Sequence, residues 1–165
     1  MKRICAWCKK SLGEVESNFD DEHAVSHGIC PECALNLVSS SGLPLQEFLN
    51  DLGVPVLVTD AEIMIKTANR QAREILNKEL SQIEGFACGN VINCEWARLP
   101  EGCGNTIGCG DCAVRQTVTE TFKTGQTVLR RLVEINHQPG SQKINLLIST
   151  ELVGEVVLLR IDELS

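Results

Sequence analysis

The chain has 165 residues, 43% of them hydrophobic, which gives room for one ordinary domain and a small appendage and enough apolar side chain to fill a core. Its formal charge of −7 argues against a dedicated nucleic-acid binder, which relies on Lys and Arg to neutralise phosphates. Nine cysteines, an odd number, exclude complete internal pairing and read as metal ligands or redox thiols in a reducing, cytoplasmic compartment. The opening MKRICAWCKK has basic residues with no apolar stretch behind them, and no run approaches the roughly 18 residues that span a bilayer, so no membrane partner is expected.

Residues 1–41 carry two C-x-x-C pairs, Cys5 with Cys8 and Cys30 with Cys33, separated by 21 residues. Each pair offers two sulfurs from one turn, and two pairs complete the tetrahedron of a four-cysteine zinc site. A segment this short buries too little apolar surface to fold unaided, so zinc is expected to supply its folding energy. His23 and His27 lie nearby, but four thiols suffice, and His27 reads as orienting the second pair by a hydrogen bond. Asp20, Asp21 and Glu22 read as a solvated loop. The small basic cluster of Lys2, Arg3, Lys9 and Lys10 keeps a zinc-finger nucleic-acid regulator as an alternative.

Ser39, Ser40, Ser41 and Gly42 form a polar joint, which places a domain boundary near Ser41 and a second domain over residues 42–165. Leu43, Leu45, Phe48, Leu49 and Leu52 follow at helical spacing, with Pro44 in the first turn and Gly53 at the end. This apolar face either makes a homodimer contact or packs on its own sheet. Residues 54–59 and 63–67 read as a hairpin around a turn at 60–62, with Ile63 and Ile65 pointing inward. Asn69 caps a helix whose apolar face is Ala72, Ile75 and Leu76, and Leu80, Ile83 and Gly85 close a further short turn. Three more strands, 127–137, 143–152 and 155–161, are broken by Pro139-Gly140 and Gly154.

Between these halves lies a cysteine-rich insertion, residues 88–112. Cys94, Cys103, Cys109 and Cys112 stand at spacings of eight, five and two intervening residues, with Gly102, Gly104, Gly108 and Gly110 flanking Cys103 and Cys109. Glycine lets the chain turn tightly so that backbone N–H groups face a ligand sulfur, and the pattern reads as a second metal site. Zinc and an iron–sulfur cluster both accept four thiolates, so the metal stays open between them. Cys88 reads as the buried end of a turn, outside the ligand set. A helix from Asp111, with Val114, Val118, Thr121 and Phe122 inward and Gly125 at its end, puts the last thiols at a positive helix terminus. No phosphate-binding glycine loop and no Ser-His-Asp order is present, so no catalysis is expected. A thiol or iron–sulfur redox protein, an electron carrier or oxidoreductase, is the alternative, although a thioredoxin-like βαβ context is missing.

Two stretches also resemble known families. Ile4-Cys5-Ala-Trp-Cys8-Lys-Lys with Ser26-His27-Gly28-Ile29-Cys30-Pro31-Glu32-Cys33 resembles a small cysteine module that accompanies PAS domains in bacterial sensor kinases and response regulators. Pro55-Val-Leu-Val-Thr-Asp60, Asn69-Arg-Gln-Ala-Arg-Glu-Ile-Leu76 and Gly154-Glu-Val-Val-Leu-Leu-Arg-Ile-Asp-Glu-Leu164 are similar to PAS segments and together span about 110 residues. The resemblance implies an α+β fold: a five-stranded antiparallel sheet with helices on one face, enclosing a sensing pocket and preceded by a zinc-ribbon-like module. It also implies output by contact with a histidine kinase or response regulator. PAS pockets hold haem, flavin, small ligands or nothing. The helix from Asp111 to Lys123 has no histidine for haem, and His137 sits at a strand end. Asn93-Cys94-Glu95-Trp96 resembles the Asn-Cys-Arg-Phe of blue-light PAS domains, but Glu95 has the wrong charge to pair with a flavin phosphate. A metal at the four cysteines remains.

Overall fold

The computed structural model describes residues 2–14, 25–30, 32–33, 43–136 and 143–164. The expectations for His23, the acidic loop 20–22, the joint 39–42, His137 and the Pro139-Gly140 break lie outside them. The chain divides into two compact units, Met1–Gly53 and Val54–Ser165, so the helix after the serine joint groups with the first.

In the first unit β1 (Lys2–Cys5) is the middle of a three-stranded sheet. It is flanked by antiparallel β2 (Ser11–Glu14) and parallel β3 (Val25–Gly28). The parallel register sets Cys5 opposite Gly28, so the chain leaves both strands at the same end and each turns at once into a C-x-x-C pair. Helix α1 (Leu43–Asp51) buries Phe48 and Leu49. The Phe48 ring lies 5.8 Å from that of Trp7. Those two residues belong to the face left open between a dimer contact and packing within the chain, and both are buried here.

The second unit is built on a sheet of order β5-β4-β8-β7-β6, with every neighbouring pair antiparallel. β4 (Val56–Thr59) and β5 (Ile65–Ala68) make the expected hairpin. Its turn is held by Asp60, whose Oδ1 accepts the N–H groups of Glu62 and Met64 at 3.0 and 2.9 Å. Ile63 takes a φ of +64°, so the second strand starts two residues later than its alternation suggested, although both isoleucines are buried.

Asn69 caps α2 (Arg70–Leu76) through its Oδ1, which accepts the Ala72 N–H at 3.0 Å. The same side chain bonds the start of β4, accepting from Val56 N–H at 2.9 Å and donating to the Val54 carbonyl at 2.7 Å. One part of the expected apolar face of α2 is not inward. Ala72 is fully buried but Ile75 is 49% exposed, because a seven-residue helix turns only a narrow stripe to the core. A turn at Leu80–Gln82 and a short helix α3 (Cys88–Val91) lead into the cysteine stretch.

Helix α4 (Ala113–Thr124) then crosses the face of β6 (Val128–Ile135), β7 (Ile144–Val153) and β8 (Val156–Leu164). Its Val114 and Val118 join Val133, Ile148, Val157 and Leu159 in one core. Thr121 and Thr150 share a buried hydroxyl bond of 2.6 Å across that interface. Gly125, at φ +70°, supplies the left-handed residue that ends the helix. This is the expected α+β architecture of a PAS fold, with the small cysteine-bearing sheet ahead of it.

Candidate metal centres

The ligand sulfurs of Cys5, Cys8, Cys30 and Cys33 all lie within 4.8 Å of one another. Cys8 Sγ stands 3.7 Å from Cys30 Sγ. Four sulfurs at about 2.3 Å from a central ion form a tetrahedron with edges of about 3.8 Å, so these thiols already have the spacing of a bound metal. Backbone donors also face the sulfurs, the Cys30 N–H to Cys5 Sγ and the Cys33 N–H to Cys30 Sγ, both at 3.4 Å. Burial opposes ionisation of Cys5, but hydrogen bonds from the backbones of Cys8, Cys30 and Trp7 outweigh it and bring its thiol down to about 6. Cys33 goes the other way. Burial and the crowding of Cys30, Cys8 and Cys5 push it up to about 12. Four thiols this close ionise together only around a cation, which is the chemistry of a structural metal site.

The second cysteine set is arranged differently. Cys94, Cys103, Cys109 and Cys112 all line a cavity of about 280 Å³, and Cys88 is a fifth thiol on its wall. The enclosure is formed by α3, the turns Glu95–Arg98 and Ile107–Cys109, the start of α4 and the end of β6. Among the described residues only the first quartet has three or more metal-binding atoms within 4.8 Å of one another, so these sulfurs surround a space rather than meet at a point. Cys112 is the N-cap of α4, which begins at Ala113 and not at Asp111. Cys109 Sγ accepts the Gly104 N–H at 3.1 Å and shares a proton with Thr106 Oγ1 at 3.0 Å. Burial opposes its ionisation, but these bonds prevail and hold the thiol below its ordinary value. Cys88 and Cys94 are pushed up, first by burial and then by the neighbouring thiols.

Several supports for this site were not visible in the sequence pattern. A Cβ on Gly89 would lie 2.7 Å from Cys103 Sγ, so that close approach requires glycine. Lys78 closes the end of α3 by donating to the carbonyls of Val91 at 2.6 Å and Asn90 at 3.1 Å, and burial lowers its amine. The Glu95 N–H bonds the Asn136 carbonyl at 2.7 Å and ties the cysteine stretch to the residue after β6. Trp96 packs against Gly108 at the cavity wall, where no Cβ would fit. Cys88 is buried as expected, yet its place on the cavity wall emerged only from the fold.

Compared with protein-family models and with curated proteins, the chain has no match. Among solved structures it is similar to the Rhodobacter sphaeroides LOV protein, at 17% identity and a TM-score of 0.49, over 71% of this chain and 62% of that one. It is also similar to a domain of the sensory box sensor histidine kinase/response regulator from Geobacter sulfurreducens, at 11% identity and a TM-score of 0.48, over 72% and 91% of the two chains. The PAS domain of an HTR-like protein from Haloarcula marismortui gives 15% identity and a TM-score of 0.47, over 81% and 97%. The second unit has a PAS fold, as its sheet order and helix placement define it, and the first is a three-stranded module whose four cysteines are arranged to bind a metal ion.

Proposed function

We propose that this chain is a signal-transduction module in which zinc at Cys5, Cys8, Cys30 and Cys33 folds the first unit. In the second unit a metal centre at Cys94, Cys103, Cys109 and Cys112 occupies the PAS pocket as the sensing element. The module works as a homodimer and by contact with a histidine kinase or response regulator, not by catalysis. The observation that carries this reading is the cavity itself, because five thiols converge on it from the helical side while Glu134, Ile135 and Asn136 of the sheet side complete its wall. A change in the occupant would act on α4 and on β6, an edge strand of its sheet, the kind of element to which a partner can pair.

Trp96 offers a direct test, since it lines the cavity and the chain has only one other tryptophan, Trp7. In a Trp7→Phe variant, stripping metal with a chelator is expected to shift and quench or release Trp96 emission in step with metal loss. Emission indifferent to metal would show that the cavity is not the metal's place.

A further inference from the structure

We propose that the PAS cavity takes an iron–sulfur cluster, held by Cys94, Cys103, Cys109 and Cys112, and not a second zinc ion; the inference rests on the metal-centre reading above and names its chemistry. The first unit provides the internal comparison. There all four sulfurs lie within 4.8 Å of one another, with Cys8 Sγ 3.7 Å from Cys30 Sγ, the spacing of a single-ion site. In the second unit the thiols stand apart around about 280 Å³. A polynuclear cluster needs that arrangement, because iron and inorganic sulfide fill the middle and the cysteines bind the corners.

The surroundings suit the same occupant. Cys109 Sγ receives the Gly104 N–H and lies against the Thr106 hydroxyl, the kind of hydrogen bonding to sulfur that sets a cluster's stability and potential. Arg115 also lines the cavity, and its guanidinium packs against Gly104. It brings a fixed positive charge to a site that gathers thiolate charge. Ile63, Ile92, Ala97, Val114 and Ile135 line the cavity as well, and these apolar side chains shield a cluster from water.

The test is metal and sulfide analysis of the full chain purified under nitrogen and then supplied with ferric iron, a thiol reductant and sulfide. The expected result is one zinc together with about two to four irons and a matching amount of acid-labile sulfide, with broad visible absorption. Cys109→Ser and Cys112→Ser should lose at least about nine-tenths of the iron while keeping the zinc, and the retained zinc shows that the first unit is intact. A second zinc per chain in the wild type, with no iron taken up, would overturn the iron–sulfur assignment and leave the metal-centre reading standing. Wild-type protein that takes neither metal beyond the first zinc would overturn both. Iron bound equally by wild type and both variants would show that these cysteines are not its ligands.

Discussion

Asn69 bonds three backbone groups from two separate stretches of the chain, closing the start of α2 and fixing the entry of β4 with one fully buried amide. Asn69→Ala removes the cap and leaves the Val56 N–H unpaired, and a loss of about 1.5–5 kcal/mol is expected in urea unfolding. Asp60 organises the neighbouring hairpin. Burial raises its carboxyl, but the hydrogen bonds and charge of Lys66, with the N–H groups of Met64 and Glu62, outweigh that and hold it below its ordinary value of 3.8. A carboxyl depressed in the folded state stabilises fully above its unfolded value, and that contribution disappears as pH falls through the folded one. The stability difference between wild type and Asp60→Asn should therefore hold steady at neutral pH and shrink below 3.8. A difference independent of pH would show that Asp60 acts through its shape alone. Gly89→Ala tests the cavity wall, because a methyl group there meets Cys103 Sγ; metal affinity at the second centre is expected to fall by about 10–100-fold in a metal-competition titration. The cap at Asn69 could be read from sequence since a cap is local. The role of Gly89 could not, because the sulfur it admits comes from fourteen residues further on.

At the scale of elements, legibility followed the range of the interactions involved. The two C-x-x-C pairs and the apolar spacing of α4 are periodic signals, and both appear where they were expected. The placement of β8 is not such a signal. It lies between β4 and β7, with Val56 opposite Arg160, a pairing between the two ends of the unit that no local pattern encodes. The inward face of α2 was overread at Ile75 for a related reason, since spacing marks a stripe but not how much of it finds a neighbour. Lys78 was invisible as the closure of α3, because its partners Asn90 and Val91 are reached only once the chain folds back. The parallel register of β1 and β3 brings the first cysteine quartet together, and a unit of this size can bury only a small apolar core beside it. Cys30→Ser is expected to abolish zinc binding and melt the first unit, while calorimetry still shows the transition of the second. Loss of both transitions would mean that the two units fold as one.

The chain carries two cysteine arrangements, a compact quartet with the spacing of a single-ion site in the first unit and a set of thiols lining a cavity in the second. The proposed homodimer is tested on intact protein by sedimentation equilibrium, where twice the chain mass is expected at high concentration and a monomer throughout would exclude it. Charges at Phe48 or Leu49 are expected to unfold the first unit instead of splitting a dimer, because both residues are buried. The central claim is that the cavity's occupant is communicated to the sheet. Cys112 stands at the N-cap position of α4, the Glu95 N–H bonds the Asn136 carbonyl beyond β6, and Arg131 of β6 reaches Thr117 and Glu120 of α4 at 3.2 and 2.7 Å. Hydrogen exchange on metal-bound and metal-free protein tests this route most directly. Metal removal should raise exchange in the first turns of α4 and along β6 as well as in residues 94–112. Faster exchange confined to 94–112, with α4 and β6 unchanged, would contradict sensing and reduce the metal to a staple of its own loop.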